Sequence, residues 1–100
     1  MAAEQQDVHS RMTVVNRFSY HLRFIVEPWA NAFWMEPGET FEVVAQGPPD
    51  GALELAFSPD KIEVFGWAGS LVAVYGDGER LDWPDDSDQP RVPSMPRRLM

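Results

Sequence analysis

Between Met12 and Trp83 the chain breaks into short segments of alternating apolar and polar residues, each closed by Gly, Pro or Asp. In order these are Met12–Phe18, His21–Glu27, Glu39–Ala45, Ala52–Phe57, Lys61–Trp67, Leu71–Tyr75 and Glu79–Trp83. A period of two puts successive side chains on opposite faces of an extended strand, so each segment can bury one face and wet the other. Short strands at this spacing predict a small all-β domain. No segment reads as a helix.

The punctuation is as informative as the runs. Glu36-Pro37-Gly38-Glu39 fits a type II turn, with Pro setting φ at the second position and Gly taking positive φ at the third. Asp77-Gly78 is the best hairpin turn, because a type I′ turn needs positive φ at both central residues. That hairpin sets Gly76 opposite Glu79, Val74 against Leu81 and Val72 against Trp83, and puts these last four on the core side. Tyr75, Ala73, Arg80 and Asp82 take the other face. Leu22, Phe24, Val26, Phe41, Val43, Ala45, Ile62 and Val64 are further core candidates. Leu53, Leu55 and Phe57 share one face of their segment, and Val14, Asn16 and Phe18 share one of theirs. Pro28 ends the second segment, Ala32–Met35 is a candidate short strand, and Leu71–Tyr75, apolar on both faces, reads as a central strand.

If the segments at 39–45 and 52–57 formed a hairpin with Val43 beside Leu53, Glu42 would face Glu54. Like charges directly opposed on a sheet are unfavourable by roughly 0.2–1 kcal/mol. The two strands are therefore expected in different sheets. The fold expected is a two-sheet β-sandwich of six to seven short strands, with a small antiparallel β-barrel as the alternative. Residues 1–11 read as a flexible lead-in, 12–83 as the domain and 84–100 as a Pro/Asp-rich flexible tail.

The stretch Met35-Glu36-Pro37-Gly38-Glu39-Thr40-Phe41-Glu42-Val43-Val44 resembles the Pro-Gly-Glu turn and following strand of cupredoxin-like and other Greek-key sandwiches. The resemblance implies a sandwich. Copper-binding members use a Cys, two His and often a Met late in the chain, whereas this chain has no Cys and both histidines precede the Pro-Gly turn. The pattern as a whole is also similar to small bacterial proteins, and that similarity implies no activity.

Several chemistries are set aside on composition. Without cysteine there is no disulfide, thiolate metal site or thiol nucleophile. His9 and His21 alone are too few for a zinc or copper centre. No serine lies in a Gly-x-Ser-x-Gly elbow, and Gly66-Trp67-Ala68-Gly69-Ser70 lacks the Lys of a phosphate-binding loop. Neither catalysis nor a cofactor is expected. Net charge is −8, and residues 12–83 set eleven carboxylates against Arg17, Arg23, Lys61 and Arg80. Binding to nucleic acid or to an anionic membrane needs a basic face, so neither partner is expected. No apolar run approaches the ~20 residues of a membrane span. The first residues lack a secretory pattern, so a cytoplasmic location is expected.

Binding remains. Phe65 and Trp67 share the outward face of their segment, and Tyr75 is a third candidate for one aromatic patch, of the kind that marks a protein interface. A protein partner, or a second copy, is expected there, and Trp67→Ala should then weaken association without unfolding the domain. The alternative is a small-ligand or carbohydrate module using Trp29 and Trp34 with Glu27. An acidic footprint formed by Glu42, Glu54 and Glu63 is a further candidate.

Overall fold

The structure, a computed structural model, describes residues 6–83 and 89–93. Its strands are β1 (Val8–Val15), β2 (Leu22–Glu27), β3 (Asn31–Met35), β4 (Thr40–Gly47), β5 (Glu54–Ser58), β6 (Lys61–Phe65), β7 (Leu71–Gly76) and β8 (Glu79–Arg80). They form two packed four-stranded sheets, β1-β4-β7-β8 and β3-β2-β6-β5, which do not close into a barrel. The fold is a small β-sandwich, with no helix among the described residues. All strand pairs are antiparallel except β2 with β6, which run parallel.

The core is the inner row of each sheet. Val14, Phe41, Val43, Ala45, Val72 and Val74 come from the first sheet, and Leu22, Phe24, Val26, Met35, Ile62 and Val64 from the second. Period-two alternation places each of them inward, as the sequence implies. Phe41 joins the sheets at one end, its ring 5.2 Å from Phe24 and 5.6 Å from Phe33. As expected, β4 and β5 lie in different sheets, so Glu42 never faces Glu54. Glu42 instead pairs with Arg11 at 2.9 Å.

Both anticipated turns form. Gly38 has φ 83° and the Glu39 N–H donates to the Glu36 carbonyl at 3.0 Å, while Asp77 and Gly78 have φ 53° and 80°.

Several readings change. The count is eight strands because Asn31–Met35 is a full strand. β1 begins at Val8, inside the segment read as a lead-in, and stops at Val15. Its edge position explains the weak signal: Val8, Ser10, Met12 and Val14 do alternate, but only Val14 is buried. Asn16, expected in a strand, fills a buried corner, where its amide donates to the carbonyls of Tyr20 and Met35 and accepts from the Phe18 N–H, each at 3.0 Å.

The β7–β8 hairpin has the expected Gly76–Glu79 register, yet β8 stops after two residues. Asp82 then turns inward. Its carboxylate accepts the Val74 N–H at 2.9 Å and the Arg80 Nε–H at 2.8 Å, taking the Val74 donor while the Leu81 N–H still bonds to the Val74 carbonyl. The expected Val74–Leu81 register holds, with that bond at 2.8 Å, but Leu81 sits at the exposed edge and Trp83 is only half-buried, so neither joins the buried core.

Residues 89–93, read as part of a flexible tail, are docked on the domain. Val92 exchanges backbone hydrogen bonds with the β6–β7 turn, donating to the Ser70 carbonyl at 2.9 Å and accepting from Gly69 at 2.8 Å. Arg91 reaches the Gly69 carbonyl at 2.7 Å and the Asp7 carboxylate at 3.2 Å. The Asp85-Asp86-Ser87-Asp88 run lies outside the described residues.

Candidate functional site

The three residues of the expected patch are not brought together. Trp67 is buried, with its indole N–H donating to the Pro48 carbonyl at 2.8 Å. A Cβ at Gly51 would lie 2.0 Å from its ring, so the 48–51 loop closes onto the indole face where only glycine fits. Trp67 is therefore a core residue, and the expectation that Trp67→Ala would spare the fold is withdrawn. Phe65 lies on the outer face of the second sheet, half-buried beside a 250 Å³ hollow that Val92 and Pro93 help to line. Tyr75 belongs to the outer face of the first sheet, half-buried and opposite Glu42 and Arg80.

Trp29 and Trp34 are also separated. Trp29 precedes β3 and packs edge-on against Trp83 at 6.4 Å, whereas Trp34 lies near the far end of β3. From Asn31 to Trp34 the strand alone rises roughly 10 Å. Glu27 stays at the Trp29 end of β2, so a platform using both tryptophans and that carboxylate does not form. The acidic footprint also divides, with Glu42 on the first sheet and Glu54 and Glu63 on the second. His9 sits on β1 of the first sheet and His21 just before β2 of the second. Among the described residues no three His, Asp or Glu side chains gather as metal ligands, and no helix is long and apolar enough to cross a membrane.

A different set of aromatic residues shares one end of the second sheet. The exposed aromatic side chains are Trp34 (61% exposed), Phe57 (68%), Phe18 (54%) and Tyr20 (43%). The register places them at one end of the second sheet. Trp34, Arg23, Lys61 and Ser58 form one cross-strand row on the outer face, whereas Phe57, one residue further along β5 at the opposite edge, shares the inner-facing row of Ile62 and Phe24. Tyr20 stands just before β2. Its hydroxyl donates to the Pro59 carbonyl at 2.8 Å, tying the β1–β2 connection across to the β5–β6 turn. The Phe18 ring stacks on Tyr20 at 5.1 Å.

Two polar side chains pack on the Trp34 ring. The Arg23 guanidinium lies over the Trp34 ring at 6.0 Å, and His21 meets the same ring edge-on at 6.3 Å. Four strands span about 14 Å between outer axes. The end thus offers rings at both edges and a stacked pair joined to the turn between them.

Trp34 was legible as a candidate in the sequence. Phe18, Tyr20 and Phe57 were not, because strand alternation assigns Phe18 and Phe57 to inner faces. The usable signal was position: Tyr20 in a connection, Phe57 two residues before Pro59, and Phe18 beyond the strand's true end. No family model, curated protein or solved structure matches this chain.

Proposed function

We propose that the protein is a non-catalytic binding module that docks a protein partner on this aromatic end of the second sheet. The observation that carries the reading is the placement of every exposed aromatic side chain of the described residues at one end of the fold. Trp, Tyr and Arg are the residues that dominate binding energy at protein interfaces. Large exposed apolar groups also cost solubility unless something covers them. The site is organised in advance: Asn16 bonds the Phe18 and Tyr20 backbone, and Pro59 holds the Tyr20 hydroxyl. Ordering these rings before docking lowers the entropy lost on binding.

The test is affinity capture with the full chain, comparing wild type with the Phe18→Ala/Phe57→Ala double variant after circular dichroism has shown both to be folded. A protein recovered in stoichiometric amount by wild type and lost with the variant supports the reading. Equal recovery by both baits, or none by either, overturns it.

A further inference from the structure

The outer edge of β3 differs from the other three sheet edges. β8 is two residues long and both are charged, Glu79 and Arg80. β5 begins at Glu54 and ends one residue before Pro59. β1 carries His9 and Arg11. Short length, charge and proline are the means by which proteins stop edges from pairing with another chain. β3, Asn31-Ala32-Phe33-Trp34-Met35, has no charge and no proline, and among the described residues no strand pairs with its outer edge.

The backbone directions follow from the hydrogen bonds of β2. The Arg23 N–H donates to Asp60 at 3.0 Å and the Glu27 carbonyl accepts from Gly66 at 3.2 Å, so odd-numbered β2 residues face β6. Leu22, Phe24 and Val26 therefore face Met35, Phe33 and Asn31 of β3. That leaves the N–H and C=O of Ala32 and Trp34 directed away from the sheet, because alternate residues of a strand point their backbone groups to opposite sides.

We propose that this edge pairs with the β3 edge of a second copy, antiparallel about a two-fold axis at Phe33, to make one continuous eight-stranded sheet. The strand is complementary to itself in that register. Ala32 meets the second copy's Trp34, and each such pair exchanges two backbone hydrogen bonds. The small Ala32 leaves room for the indole, which then lies across Ala32 towards the half-buried Ile25 of the adjoining strand. Phe33 meets its own copy, and Met35 meets Asn31. Two bodies of net charge −8 repel one another, and this edge lets them meet with no charged residue opposed to another. The symmetric contact closes on itself and stops at a dimer. The inference rests on the docking reading only in that Trp34 serves both, and it names a second copy as what covers that flank.

The test is sedimentation equilibrium of the full chain over a range of concentrations. Wild type should pass from 11.4 kDa to twice that mass. Ala32→Pro deletes an N–H that the monomer leaves unpaired, at a position where an edge strand tolerates proline. It should raise the dissociation constant by at least about tenfold, since one N–H is lost on each side. Trp34→Lys, at an exposed position, guards against an Ala32→Pro chain that does not fold, and should have the same effect by removing the indole that packs on the second copy's Ala32 and setting two lysines diagonally across the symmetric pair. Phe18→Ala/Phe57→Ala should dimerise as wild type does, which separates this proposal from the docking of a partner at the aromatic end. A wild-type chain that stays monomeric throughout, or a folded Ala32→Pro or Trp34→Lys chain that dimerises unchanged, overturns it.

Discussion

At one end of the second sheet Phe18, Tyr20, Trp34 and Phe57 stand between 43% and 68% exposed, and at the other Trp29, Phe65, Trp67 and Trp83 are all buried or half-buried. The residue types are alike, so hydrophobicity does not separate them. What differs is the chain available for cover. The second end receives the 48–51 loop, the β6–β7 turn and the returning residues 89–93, whereas the first has the β1–β2 connection and the tight β3–β4 and β5–β6 turns. Covered aromatics there hold the sandwich shut, and uncovered ones are available to a partner.

The largest effect should fall on the covered end. Trp67→Ala removes a buried indole and its bond to Pro48, and is expected to cost about 3–5 kcal/mol in urea unfolding. Should that chain not fold, Trp67→Phe keeps a ring and should cost less while losing the same bond. Trp34→Ala and Phe57→Ala, on the exposed end, should each change stability by no more than about 0.5 kcal/mol. Comparable losses at Trp34 and Trp67 would break the distinction between the ends.

The exposed end is not loose underneath, and Asn16 is the reason. Its side chain is fully buried with three hydrogen bonds to backbone groups, and its own N–H and C=O bond to Glu39 at 2.9 Å and Gly38 at 2.7 Å. Asn16→Ala leaves buried backbone groups unpaired, at about 1–3 kcal/mol. The measurement is the urea midpoint, read together with hydrogen exchange at Phe18. Loss of protection there without loss of global stability would place the rigidity of the aromatic end in Asn16 alone.

Next in size is the docked segment. Val92→Pro deletes the donor to Ser70 and should cost about 1 kcal/mol. The nearer readout is faster amide exchange at Gly69, whose N–H is bonded to the Val92 carbonyl. Unchanged exchange would mean that residues 89–93 add little to the cover of Phe65 and Trp67.

These predictions mark where the sequence was readable. Turns were legible because their causes are local: Pro37-Gly38 and Asp77-Gly78 carry their φ requirements in the residues themselves. Inner rows such as Phe41, Val43 and Ala45 were legible from period two, and the Glu42–Glu54 conflict placed β4 and β5 in separate sheets. Whether an aromatic is covered depends on which loops arrive over it, and nothing beside Trp67 in the chain records that Pro48 and Gly51 will close on it. The same holds for Asp82, whose inward turn depends on an unpaired Val74 N–H across the hairpin, and for the parallel pairing of β2 with β6.

The smallest effect concerns the turn that carries Trp29 into the covered end. Ala30 is exposed and has φ 59°, a left-handed conformation that costs a residue with a Cβ roughly 1–2 kcal/mol. Glycine relieves that cost but loses more conformational entropy on folding, by roughly 0.5–1 kcal/mol. The balance favours Ala30→Gly by about 0.5 kcal/mol. For a domain of this size that raises Tm by roughly 2–4 °C, readable by scanning calorimetry. Asp77, at φ 53°, is an internal control, because a short polar side chain tolerates this region and Asp77→Gly should gain less. If Ala30→Gly instead lowers Tm, the stiffness of the turn is itself holding Trp29 against Trp83, and cover at this end depends on how the chain enters it as well as on what lies over it.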